Sequence, residues 1–170
     1  MANTGEFIKM FHIFFVILGF AGMVGFPMMM RAAAGASGLD TARTCLRYAN
    51  IFDGLSGIGF LGAGLIGLGL AIYQEWDFAE NTWLTASITL LVVALVGATI
   101  VQQPALFKLN RLAKEAPGPG VPPELNAELS KPLLRISNGI LWLMLLAIFY
   151  MMVAKPGVDF SGIDNWPVNT

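Results

Sequence analysis

Charged positions divide the chain into blocks. Between Lys9 and Arg31 lie 21 residues without Asp, Glu, Lys or Arg; Asp53 to Glu75 encloses another 21, Glu80 to Lys108 27, and Arg135 to Lys155 19. Within these runs Leu, Ile, Val, Phe, Ala and Gly follow one another with almost no polar interruption. A hydrocarbon core roughly 30 Å thick is crossed by about 20 helical residues at 1.5 Å each. The pattern therefore predicts four spanning helices, at about 7–30, 54–74, 82–103 and 134–154. The expected fold class is all-α, an integral membrane four-helix bundle forming one domain over 1–170. The first run exceeds the roughly 7–15 residues of a signal-peptide core, so it is expected to remain as a membrane helix.

Between the helices, Ala116–Pro123 carries too many prolines for a helix and reads, with the polar segment after it, as a surface connector. The stretch 156–170 reads as a short outer tail that includes Trp166. Composition agrees with the block pattern: 56% of residues are hydrophobic and 12% charged, with 19 glycines and a formal net charge of −1. Soluble domains carry roughly 25% charge, so a soluble globule and a disordered chain are excluded. A nucleic acid partner is not expected without a basic stripe. The single cysteine, Cys45, cannot close an internal disulfide.

The ten basic residues orient the bundle. Arg31, Arg43 and Arg47 follow the first run, and Lys108, Arg111, Lys114, Lys131 and Arg135 lie between the third and fourth. Only Lys9 and Lys155 flank the other ends. By the positive-inside rule both termini lie on the outer, periplasmic side of a bacterial inner membrane, with the lipid bilayer as the first partner. Trp76 and Trp83 then sit where an outer aromatic belt is expected.

Candidate chemistry is sparse. His12 is the chain's only histidine and lies inside the first run, near its outer end. Ionisable groups at membrane depth are costly, and imidazole is the commonest metal ligand. His12 reads either as a ligand or as a polar residue satisfied by a carbonyl or water. Val16, Gly19 and Met23 share its helix face, and Gly19 would leave a gap beneath the ring. Lys155 ends the fourth helix at matching depth. It either pairs with a carboxylate or snorkels and caps the helix end. Met10, Met151 and Met152 fall near His12 in depth, which raises copper as a soft-ligand alternative. Asp53, close to Arg47 and with Arg135 entering the fourth helix from the same side, reads as a charge pair locking helix ends, or else as part of a proton or substrate path. The second run, with glycines at 57, 59, 62, 64, 67 and 69, has small residues on both faces, as suits a helix packed between two others or a wall for a flat macrocycle.

The first helix, Phe7-Ile-Lys-Met-Phe-His12 through Gly22 with Pro27 beyond, resembles that of HemJ-type protoporphyrinogen oxidases and CopD-type copper-resistance domains. The last helix does so as well, from Leu134-Arg135-Ile-Ser-Asn138 to Lys155-Pro156. The chain resembles most the functionally unassigned four-helix members of that group. The resemblance implies haem b, with functional roles for the histidine and lysine at 12 and 155. Gly19, Met28 and Gly139 depart from the oxidase pattern, which has tryptophan, arginine and an acid at the matching positions. Whether the chain is an enzyme is left open. The combined reading is a membrane protein binding haem b or a related tetrapyrrole, such as a chlorophyll-type pigment. His12 is the axial metal ligand, with Lys155 and Gly19 completing the pocket. The alternatives are a cofactor-free accessory subunit of a larger membrane complex and copper handling; the expected protein partners are further copies of the chain or other membrane subunits.

Overall fold

The computed structural model describes residues 4–155; the expected tail 156–170, with Trp166, lies outside them. The described residues form five helices and no strand: α1 (Thr4–Ala34), α2 (Leu39–Tyr73), α3 (Thr82–Glu115), α4 (Pro123–Leu129) and α5 (Leu133–Ala154). Four segments, Thr4–Ala34, Leu39–Tyr73, Thr82–Glu115 and Pro123–Ala154, are long and apolar enough to cross a membrane. Their outward faces carry large apolar side chains that stay exposed, such as Ile17, Leu65, Ile100 and Leu143. That is the inverse of a water-soluble surface and suits a lipid solvent.

Several helix ends differ from those read off the charge pattern. At 35 residues, α2 begins at Leu39 rather than near 54, and α3 runs through Pro104 to Glu115 rather than stopping near 103. The reason is physical: a charge marks where lipid ends, and a helix continues into water without penalty. The extensions and α4 build a small water-side core, in which Leu39, Leu46, Leu109 and Leu125 are fully buried. Arg43 fastens it, donating from Nε to the Ala113 carbonyl at 2.8 Å and from Nη2 to that of Ala116 at 3.2 Å. These carbonyls, at the end of α3, are left without helical partners. The polar part of the expected connector is helical, with Leu125 and Leu129 turned inward. Glu128 joins it to α3 and to the following turn, bonding Lys108 at 2.7 Å and Lys131 at 2.8 Å.

Inside the membrane the helices form two tight pairs, α1 with α2 and α3 with α5, joined chiefly through α2 against α3. Glycines make the first pair possible. A Cβ at Gly59 would collide with the backbone of Gly19, and one at Gly22 with the backbone of Phe52 and Ser56. Without a hydrophobic gain on leaving lipid, such close backbone approach, and the dispersion contacts it allows, holds helices together. On the other side of α2, Gly64 faces Leu91 of α3. This matches a central helix packed between two others.

The α1–α2 contact generates a contrast between glycines. Gly22→Val or Gly59→Val is expected to lower stability by at least about 1–3 kcal/mol, the usual cost of overpacking. At Gly69 nothing lies within 4 Å of an added Cβ, so Gly69→Ala is expected to leave stability unchanged or slightly raised. Thermal unfolding of the purified protein in mild detergent measures both, and equal melting temperatures for all three variants would contradict this packing.

Candidate functional site

His12 sits in the third turn of α1, facing α2. Its ring rests on Gly67, where an added Cβ would stand 2.9 Å from His12 Cε1. The missing side chain opens the backbone of α2, and His12 Nδ1 lies 2.9 Å from the Ala63 carbonyl oxygen. A carbonyl only accepts, so Nδ1 must carry the hydrogen. In the neutral ring the lone pair is then on Nε2, which makes no hydrogen bond among the described residues. A backbone carbonyl that orients one imidazole nitrogen and leaves the other for a ligand is the usual support of a metal-binding histidine.

The imidazole borders a cavity of about 240 Å³ between the two helix pairs. Phe20, Phe60, Leu91, Leu145 and Ile148 supply much of its apolar wall. Ser87 also reaches it, but its hydroxyl is spent on the Trp83 carbonyl at 2.7 Å.

Lys155 lines the same cavity. As the C-cap of α5 it adopts a left-handed conformation, φ 40° and ψ 59°, and its N–H donates to the Met151 carbonyl at 2.9 Å. The ammonium lies 5.2 Å from the Trp76 ring centroid and 5.4 Å from that of Trp83. The two indoles meet edge to face, 5.3 Å apart. Cation–π attraction of this kind holds a lysine at about 0.5–1 kcal/mol per exposed contact and more when desolvated. Among the described residues no carboxylate pairs with this ammonium, which leaves its charge available to an anion.

The structure thus brings His12 and Lys155 to one cavity, but not Gly19. The space above Gly19 is filled by the Phe60 ring, 2.8 Å from where a Cβ would stand, and Gly19 is not among the lining residues. The expected gap beneath the imidazole is closed because α2 presents Phe60 at that level. Of the methionines near His12 in depth, Met152 lines the cavity, whereas Met10 is 54% exposed on the outer face. Among the described residues no three His, Cys, Asp or Glu side chains converge.

Sequence reasoning missed Gly67 as the seat of the histidine and the two tryptophans as the lysine's partners, having assigned the latter to the lipid interface. It also missed a second cavity, of about 100 Å³, toward the opposite end of the bundle. Phe60, Leu91 and Leu145 border both cavities and form the partition. Asp53 lines the second one and accepts a hydrogen bond from Gln103 Nε2. The expected partner, Arg47, is exposed and makes no ion pair with it. Six residues apart on a helix, the two point to different faces.

No curated protein and no solved structure matches the chain. A family model does, over residues 6–156, from the start of α1 to just past α5. By that match the chain belongs to the DUF2269 family of predicted integral membrane proteins.

Proposed function

We propose that the protein binds a tetrapyrrole, haem b first among them, between its two helix pairs, with His12 Nε2 as the group that would hold its iron. The observation that carries this reading is the Nδ1 hydrogen bond to Ala63, which turns the ring's lone pair away from that carbonyl beside an apolar cavity. The resemblance to HemJ-type proteins at positions 12 and 155 points the same way.

The donor chemistry fits the group. A neutral imidazole suits iron, the walls suit a macrocycle, and Lys155 suits an acidic substituent at its edge. Size sets a condition. At about 240 Å³ the cavity is smaller than the roughly 300–1,000 Å³ of sites that enclose drug-sized ligands. Admitting a macrocycle therefore requires the α1–α2 and α3–α5 pairs to part along their seam, where side chains rather than backbones meet. Bound haem supplies one-electron redox chemistry or tetrapyrrole handling. His12 holds it, Lys155 orients it through charge, and the aromatic and aliphatic walls exclude water.

The positive-inside bias favours a bacterial inner membrane with this cavity on the periplasmic side, because eight of the ten basic residues flank the opposite ends of the helices. A cofactor-free accessory subunit is less well supported, because several α2 glycines that would let a partner helix approach are used internally. Gly59 and Gly62 meet α1, Gly64 meets α3, and Gly67 meets His12. A copper site is weakened by the outward position of Met10.

The wild-type protein, purified after expression with haem supply, is expected to show a Soret band that is lost in His12→Ala while size-exclusion behaviour is retained. Lys155→Ala is expected to keep the band but release haem a few-fold faster to an acceptor protein, as befits a partly exposed ion pair. A folded wild type that stays colourless after reconstitution with haem overturns the proposal.

A further inference from the structure

The second cavity is built differently from the first. Side chains from three helices supply its polar groups: Asp53 and Ser56 from α2, Thr99, Gln102 and Gln103 from α3, and Asn138 from α5. Gln102 is 3% exposed, yet its Nε2 has no hydrogen-bond partner among the described residues. Ser56 and Asn138 also make no side-chain hydrogen bond among them. Burying an unsatisfied amide works against folding, so its retention here points to something that completes the set.

Charge narrows what that is. Asp53 stands at the membrane edge of α2, and no Lys, Arg or His nitrogen among the described residues lies within 4.0 Å of its carboxylate. One amide N–H from Gln103 does not neutralise it. Asp53 is half-buried, and a carboxylate partly withdrawn from water is stabilised by a counter-charge or a proton. The remaining groups offer hard oxygens: carboxamide carbonyls and hydroxyls, the ligands of alkali and alkaline-earth cations. One formal negative charge matches a single positive charge. Divalent sites gather more carboxylates, and among the described residues no three acidic or imidazole groups converge. About 100 Å³ also leaves room for an ion with two waters, at roughly 30 Å³ each. Gln102 Nε2 is enclosed by protein atoms, so a water on the ion accepts from it once the amide turns toward the cavity.

We propose that this cavity is a binding site for a partly hydrated monovalent alkali cation, with Asp53 as its counter-charge and Gln102 bonded to the ion's water. The site does not depend on tetrapyrrole binding in the first cavity, and the two succeed or fail separately.

The test compares melting temperatures of the full protein in detergent in NaCl, KCl and choline chloride at equal ionic strength. A ligand of the folded state raises the melting temperature with the logarithm of its concentration above the dissociation constant. That rise is expected with Na⁺ or K⁺, absent with choline, and lost in Asp53→Asn, whose side-chain carbonyl can still accept from Gln103. Should that variant fail to fold, equilibrium binding of radiolabelled Na⁺ and Rb⁺ to the wild type decides. Saturable binding displaced by unlabelled alkali salt but not by choline supports the site. Equal melting in all three salts, which a proton on Asp53 or a water cluster would give, overturns it. So does a salt effect that survives Asp53→Asn, or the absence of saturable tracer binding.

Discussion

The backbone contact between α1 and α2 governs the rest of the molecule. Where Gly59 meets Gly19, and Gly22 meets the backbone at Phe52 and Ser56, no Cβ separates the chains. Lipid gives helices no hydrophobic reason to associate, so this proximity must supply the stabilisation. It also fixes the rotation and height of α2 against α1. His12 is thereby set over Gly67, within hydrogen-bond reach of the Ala63 carbonyl. A helix pair held apart by ordinary side chains would leave that imidazole facing lipid, with its polar atoms unpaired.

A second consequence is asymmetry in the packing. The pairs α1–α2 and α3–α5 are each close, whereas the seam between them is closed by side chains such as Phe20 against Trp142, with ring centroids 6.0 Å apart. Large side chains on opposing helices leave space above and below their contacts. Phe60, Leu91 and Leu145 partition that space into an apolar cavity at the His12–Lys155 end and a polar one around Asp53. One chain therefore presents two chemically distinct environments on a common axis.

The spans were legible because lipid excludes charge: each run between charges corresponds to a membrane-crossing stretch. Helix ends were not, since α2 and α3 carry Arg43, Arg47, Lys108 and Arg111 into water without breaking. The lone histidine was visible as an expensive residue in an apolar run. Its partner was not, because a backbone carbonyl has no signature in sequence. Gly19 and Phe60 show a related limit: spacing along one helix says which residues share a face, but not which residue of the next helix arrives there. Trp76 and Trp83 were readable as interfacial aromatics, whereas their role beneath Lys155 depends on where the left-handed cap of α5 puts its ammonium.

Helix packing sets the tautomer of one imidazole by bonding Nδ1 to the Ala63 carbonyl, beside the apolar cavity. Because the chain contains a single histidine, nitrogen NMR of protein labelled only in histidine reports on that ring without assignment. Whenever the ring carries a single hydrogen, that hydrogen is expected on Nδ1, bonded to the Ala63 carbonyl, with Nε2 bare. A neutral ring with its hydrogen on Nε2, or averaging between the two forms, would contradict this.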